Sequence, residues 1–405
     1  MKNKIIFSLF AVFFLGAVSF AEIEDHHRYF EIGVDAQAGV SNNCFKVSDV
    51  LVKDLVIDLR KIAETMPDNG FVLDFSGSAL GYISYNLKDR FALNFNFGLS
   101  SSGYCNIGKT LFDILGKGVG INSSEEVDIS LYGDLFLNAG VSVKTRIANH
   151  LVTFEPGFFI PVVHVAEKDA SATYSASDSG DIVASADVPL NIYSIISLED
   201  TSSIDVNSVV NSINSFGFDI FMHVERPLTK TFELGAFTRI PVAPGKLNYK
   251  TSTRFSASVK QSNILGYLDN TASTETSFTT EETSYSQETK SVHRPFVLGV
   301  EGAWRPFGKW CRIAPKLSLV VRNPYTSAYQ CFGEYRLRTD FSLFDFVGVN
   351  LTTAYEDLVF KQTMGFMLNL RIVEINTALQ LRSASFIKSF DISGATALVS
   401  VKIGF

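Results

Sequence analysis

The sequence has little of what most soluble or helical membrane proteins need. Charged residues occupy only 19% of its 405 positions, against about a quarter in an ordinary soluble domain. After the amino-terminal segment it has no uninterrupted apolar stretch of about 18 residues, so helical membrane spans are not expected there. The formal net charge is −7, which argues against a nucleic-acid partner.

Signals for chemistry are also scarce. The four cysteines, Cys44, Cys105, Cys311 and Cys331, show no metal-ligand spacing, and their disulfide pairing cannot be deduced from sequence. The hydrolase patterns GxSxG and HExxH are absent, and "GKGVG" at 116–120 lacks the strand-to-helix context of a nucleotide loop. We therefore expect no enzyme activity, no catalytic residue, no cofactor and no metal ion.

The amino-terminal segment has the features of an export signal. Lys2 and Lys4 precede an apolar stretch, and Ser19-Phe20-Ala21 places small residues at the −3 and −1 positions. This pattern predicts a signal peptide over residues 1–21 that is cleaved after Ala21. A single anchoring helix is the less favoured alternative, because the apolar stretch is short.

The mature chain alternates apolar and polar residues almost throughout. In "ALVSVKIGF" every second residue back from Phe405 is apolar, which is the period of a strand with one apolar face. Similar segments recur and are joined alternately by short turns and longer connections. This asymmetry is typical of outer-membrane barrels. The sequence predicts an all-β, transmembrane antiparallel β-barrel of about 14 strands over residues 22–405; a soluble all-β protein is the alternative.

Lipid explains the alternation. In a bilayer every backbone N–H and C=O must pair within the protein, and a closed sheet achieves this without a free edge. The apolar faces would then contact outer-membrane lipid. The terminal Phe405 resembles the carboxy-terminal signal recognised by the outer-membrane assembly machinery. We expect outer-membrane lipid and the assembly machinery as partners, and the bacterial outer membrane as the location.

Residues 44–68 break the alternation. Their apolar residues are spaced as on one face of a helix, with charged residues between them. The segment is predicted to be helical and either to plug the lumen or to lie over the rim as a loop. Its apolar stripe comprises Leu51, Leu55, Leu59, Ile62 and Met66.

Two intervals, 164–215 and 244–294, are predicted to be long extracellular loops. Within the second, residues 269–292 are dominated by Ser, Thr and Glu, which is typical of a solvated loop or a polar hairpin above the membrane. A receptor-binding role for these loops is an open alternative.

Strand parity predicts which side chains face the lumen. Charged residues on that face could line a water-filled pore or pair with one another to brace the barrel. Apolar residues there would suit either a hydrophobic solute or the packing of a plug. The candidates are Arg239, Arg312, Lys316, Glu334, Arg336, Arg338, Asp340, Phe136, Phe159 and Phe237.

With about 14 strands, the ending "VSVKIGF" and a helical element suited to the lumen, the chain resembles the FadL family of long-chain fatty-acid transporters. The resemblance implies passive uptake of hydrophobic small molecules such as long-chain fatty acids. It rests on no specific motif, and here the helical segment follows the first strand, whereas the family's hatch precedes it. A general diffusion porin, and a non-transporting adhesin acting through its loops, are the alternatives.

Overall fold

The structure is a computed structural model. It describes residues 28–45, 59–68, 70–87, 91–117, 123–177, 181–199, 216–262, 273–280, 283–326, 329–343, 346–391 and 393–405. The export segment 1–21 and most of the predicted helical segment, residues 46–58, lie outside these ranges, and with them Leu51 and Leu55. None of the helices in the described residues is long and apolar enough to cross a membrane.

One antiparallel sheet dominates the fold. Its strands are β1 (Phe30–Asn42), β2 (Phe71–Leu87), β3 (Phe91–Ile107), β4 (Ser123–Ile147), β5 (His150–Ala176), β6 (Ile182–Ser194), β7 (Gly217–Pro227), β8 (Phe232–Ala243), β9 (Gly245–Ser262), β10 (Ser273–Thr280), β11 (Ser284–Val292), β12 (Phe296–Trp304), β13 (Cys311–Arg322), β14 (Gln330–Leu343), β15 (Val347–Glu356), β16 (Val359–Asn369), β17 (Val373–Ser383) and β18 (Gly394–Gly404). Among the residues that the structure describes, two short α-helices, α1 (Leu59–Thr65) and α2 (Lys109–Lys117), lie in the connections.

The sheet closes on itself. The first strand β1 pairs with the last strand β18, with Val34 opposite Val401, so neither terminal strand leaves a free edge. From β1 the pairings pass through β2, β3, β4, β5, β7, β8 and β12, and then in chain order back to β18. The predicted closed antiparallel β-barrel is confirmed.

The closed ring traced by these pairings has 14 strands, the number predicted, whereas the described sheet as a whole has 18. The difference is β6, β9, β10 and β11, which lie in the intervals 164–215 and 244–294 that were assigned to loops. The upper half of β5 pairs with β6, β6 pairs with β9, and β9 pairs with both β10 and β11. The polar segment 269–292 therefore contributes strands that extend the sheet beyond one rim. Sequence analysis missed β6 and β9, because their many polar residues give no clear apolar alternation, whereas a polar hairpin over 269–292 was one of its two alternatives.

The burial pattern is inverted relative to a soluble protein. Outward-facing apolar side chains are exposed, including Val34 at 56%, Leu317 at 59% and Met364 at 65%. Charged side chains on the opposite parity, such as Glu374 and Lys402, are buried. An apolar belt around a charged interior is the arrangement of a barrel whose outer solvent is lipid.

The two rims differ. We call the end of the barrel that carries Tyr29 and Phe405 the terminal rim, where the Tyr29 N–H donates to the Phe405 carbonyl at 2.7 Å. Trp304, Trp310 and Phe346 are about half exposed near the short turns of this rim, as in the aromatic girdle of a membrane barrel. The opposite end, the loop rim, carries both α-helices and the β6–β9–β10–β11 extension.

The described part of the predicted helical segment lies at the loop rim. There α1 packs against α2 from the connection after β3. The Lys109 ammonium is 3.6 Å from the Asp68 carboxylate, and Met66 is buried while Ile62 is half-buried. Leu59 begins the helix. A plug role for the whole segment 44–68 stays a prediction.

Candidate functional site: the lumen cavity

The barrel encloses a cavity of about 450 Å³. Its volume falls within the range of about 300–1,000 Å³ that small-molecule sites occupy. The side chains around it come from inward positions of the barrel wall and from the connection between β11 and β12. The charged lining residues are Asp134, Arg239, Arg294, Lys316, Arg322, Glu334, Arg336, Arg338, Glu356, Asp357 and Lys361.

One side of the cavity is apolar and aromatic. Phe221 and Phe237 project from the neighbouring strands β7 and β8, with ring centroids 6.4 Å apart. Phe136, Val297 and Val320 extend this surface on β4, β12 and β13. We call these five residues the apolar wall. It offers a solute contact area without any hydrogen-bond requirement.

Cations border the apolar wall. The Lys316 ammonium lies 4.2 Å from the centroid of the Phe237 ring, and the Arg239 guanidinium lies 5.7 Å from that of Phe221. Both distances are within the reach of cation–π attraction, about 6 Å. Each of these cations thus stands at the edge of an aromatic surface and faces the cavity.

Another part of the lining, on β14, β15 and β16, is polar and charged. The Arg336 guanidinium is 2.6 Å from the Glu356 carboxylate, and the Lys361 ammonium is 3.4 Å from the same carboxylate. The Arg338 guanidinium donates to Asp340 at 2.5 Å. Lys316 and Arg336 are directly opposite one another on β13 and β14, an arrangement of like charges that costs stability on its own. These ion pairs brace the wall, which is one of the two roles that sequence analysis allowed for lumen-facing charges.

The turn between β15 and β16 brings a carboxylate over the cavity from the loop rim. Asp357 accepts a bond from Arg322 at 2.9 Å and lies 3.5 Å from the Lys361 ammonium, while its N–H donates to Glu334 at 3.0 Å. Burial opposes ionisation of Asp357, but Lys361 and Arg322 outweigh it and hold the pKa of this carboxyl below its usual range. Asp357 is therefore a fixed negative charge at this end of the cavity.

Seven of the ten predicted lumen residues line this cavity: Arg239, Lys316, Glu334, Arg336, Arg338, Phe136 and Phe237. Arg312 and Asp340 do not, and form an ion pair at 3.8 Å where β13 and β14 approach the terminal rim.

Phe159 is absent from the cavity lining, although it packs against a residue that lines it. It is only 1% exposed and packs against Phe136, with ring centroids 5.5 Å apart. Ile195, Leu247 and Val292 complete this apolar cluster. These three come from the intervals predicted as loops, so parity alone could not show that Phe159 would be covered.

Other lining residues were missed. Glu356 and Lys361 occupy inward positions of β15 and β16, and continuing the period-two count along those strands would have found them. Arg294 was not predictable, because it lies in a connection. It lines the cavity, and its guanidinium is 2.9 Å from the Asp219 carboxylate and 5.9 Å from the centroid of the Phe159 ring.

Neither a known family model nor a curated protein sequence matches this chain. Solved structures are similar over nearly the whole chain. The Ralstonia pickettii toluene transporter TbuX is 9% identical over 94% of this chain and 90% of its own, with a TM-score of 0.45. A Pseudomonas aeruginosa FadL homologue is 10% identical over 93% and 90%, with a TM-score of 0.38. The translocator domain of autotransporter NalP from Neisseria meningitidis is 6% identical over 95% and 91%, with a TM-score of 0.35. The similar structures include a FadL-type barrel, and TM-scores below 0.5 assign neither a family nor a substrate to the chain.

Proposed function

We propose that this chain is an outer-membrane barrel that lets small molecules cross passively, and that amphipathic molecules such as long-chain fatty acids are its preferred solutes. The observation that carries this proposal is the mixed lining of the cavity, which combines an apolar wall bordered by cations with ion-paired polar groups. The proposal assigns no catalytic step to the chain.

The exposed apolar belt supports the membrane location. A charge at a lipid-facing position near the bilayer centre costs about 2–4 kcal/mol, and in this barrel the charges of the wall lie on the opposite parity. The predicted export signal at residues 1–21 supports delivery across the inner membrane, followed by cleavage. In the outer membrane, the terminal rim would face the periplasm and the loop rim would face the outside of the cell.

The cavity suits an amphipathic anion. An acyl chain would rest on Phe221 and Phe237, where burying apolar surface yields about 25 cal/mol per Å². Its carboxylate would meet the Lys316 ammonium, which lies over the Phe237 ring. Charge-assisted hydrogen bonds of this kind are the stronger class.

A general diffusion porin is the second candidate, and the charged lining favours it. Charged groups on several strands keep a lumen hydrated, which suits unselective passage of polar solutes. The two functions differ in whether a hydrophobic anion binds at a defined place.

The test is equilibrium binding of oleate to the purified barrel in a non-ionic detergent, together with conductance in planar bilayers. We expect saturable binding of oleate that weakens about tenfold or more in Phe237→Ala and Lys316→Met. Phe366→Ala is the control, because Phe366 is apolar, 47% exposed and faces lipid. A large ohmic conductance unaffected by oleate, with no oleate binding, would establish the porin instead.

A further inference from the structure

Three titratable side chains converge inside the barrel, on the side of Phe221 and Phe237 that faces the terminal rim. Glu225 on β7 and Glu301 on β12 are both directly opposite Gly235 on β8, one from each side. A Cβ at position 235 would lie 2.9 Å from His223 Nε2, 3.1 Å from Glu301 Cγ and 3.5 Å from Glu225 Cγ. The absence of a side chain at Gly235 therefore leaves the space over which the three groups meet.

The imidazole of His223 stands between the two carboxylates. Its Nε2 is 3.0 Å from Glu301 Oε1, and its Nδ1 is 3.5 Å from Glu225 Oε1. The Nε2 atom is buried and faces the Glu301 carboxylate. The rings of Phe221 and Phe237 lie 6.4 and 6.3 Å from the imidazole and hold its orientation.

This arrangement suits a cation. A neutral imidazole can donate to only one carboxylate and must present a lone pair to the other, which is repulsive, whereas an imidazolium donates to both. A divalent metal ion placed between Nε2 and Glu301 removes the repulsion and neutralises both carboxylates.

We propose that His223, Glu225 and Glu301 form a binding site for a divalent transition-metal ion of the Zn²⁺ type. One imidazole and two carboxylates are a donor set such ions accept, with bonds of about 2.0–2.2 Å and water completing the coordination. One ligand atom from each residue lies within 4.8 Å of the others, so the side chains must close by about an ångström around the ion. This site departs from the sequence-based expectation that the chain binds no metal.

Two cations near Glu301 work against binding without occupying the site. Lys316 and Arg312 both interact electrostatically with Glu301. The Lys316 ammonium lies over the Phe237 ring, and Arg312 pairs with Asp340 at 3.8 Å. They lower the affinity for a dication, and the site is therefore weaker than an isolated cluster of the same ligands would be.

The test is isothermal titration of Zn²⁺ alone into the chelator-treated barrel in detergent at neutral pH. We expect one ion per chain, with affinity reduced at least tenfold in Glu301→Gln and in Gly235→Ala. The second variant keeps every ligand and only fills the space over the glycine. Glu233→Gln is the matched control, because this carboxylate lies on the same strand but pairs with Arg305 at 2.9 Å.

Heat-modified gel mobility checks that each variant is a folded barrel. The proposal is overturned if the wild-type chain shows no saturable binding below about 1 mM Zn²⁺. It is equally overturned if Glu301→Gln and Gly235→Ala bind as tightly as Glu233→Gln, since the ion would then lie elsewhere. Oleate binding and conductance do not enter this test, so its outcome is separate from that of the proposed function.

Discussion

Arg382 bridges the seam at which the barrel closes. It lies on β17, and its guanidinium crosses over β18 and β1 to form an ion pair with Asp74 on β2. The same guanidinium donates to Ser76 Oγ at 2.5 Å and to Thr396 Oγ1 at 3.2 Å. Gly39 on β1 leaves the path open, because a Cβ there would lie 3.0 Å from Arg382 Nη1.

Replacing Arg382 by methionine removes one partner of a fully buried pair, since the Arg382 side chain is 0% exposed. Breaking such a pair costs about 3–5 kcal/mol, because the remaining charge on Asp74 is left buried and uncompensated. Replacing both partners, as Asp74→Leu with Arg382→Met, removes that charge as well. We therefore expect the double variant to recover most of the stability that the single variant loses.

The assay is urea unfolding of the barrel in lipid vesicles, followed by gel mobility of unheated samples. Arg60→Ala is the control, because the Arg60–Glu64 pair on α1 has side chains 79% and 62% exposed, and pairs of that kind contribute about 0.3–0.5 kcal/mol. A loss in Arg382→Met no larger than in Arg60→Ala, or a double variant no more stable than the single one, would refute the reasoning.

Three further outcomes follow from the same structure. Met364→Arg, at the lipid-facing centre of β16, should destabilise the barrel by about 2–4 kcal/mol, whereas Thr363→Arg, which points into the lumen, should be tolerated; vesicle unfolding measures both. Phe405→Ala should lower the amount of barrel assembled in cells while leaving refolding in detergent nearly unchanged, because this ring is 77% exposed; equal assembly would contradict its role as a signal. Since the pKa of Asp357 is lowered in the folded state, its contribution to stability should be present above about pH 4 and fade as the pH falls below it. Asp357→Asn should therefore reduce the acid sensitivity of urea unfolding, and an unchanged pH profile would count against the ion-pair arrangement at that turn.

The architecture of the wall was largely readable from the sequence. A period of two assigns each side chain to lipid or lumen, so the inward placement of Lys316, Arg336 and Arg338 followed directly from parity. Met364 and Phe366 are exposed on the outward face, as the same rule requires. The face of a side chain depends only on its local position in the strand, so an error in predicting which strands pair does not change it.

Parity does not say which strands become neighbours, and only the tertiary structure decided that. The lower half of β5 pairs with β7 and its upper half with β6, while β8 skips three strands to pair with β12. These choices bury Phe159, bring Arg294 to the cavity, and gather His223, Glu225 and Glu301 over Gly235. The physical reason is that alternation fixes the face of a strand, whereas its partner is selected by closure of the whole sheet, which removes every free edge of the wall at once.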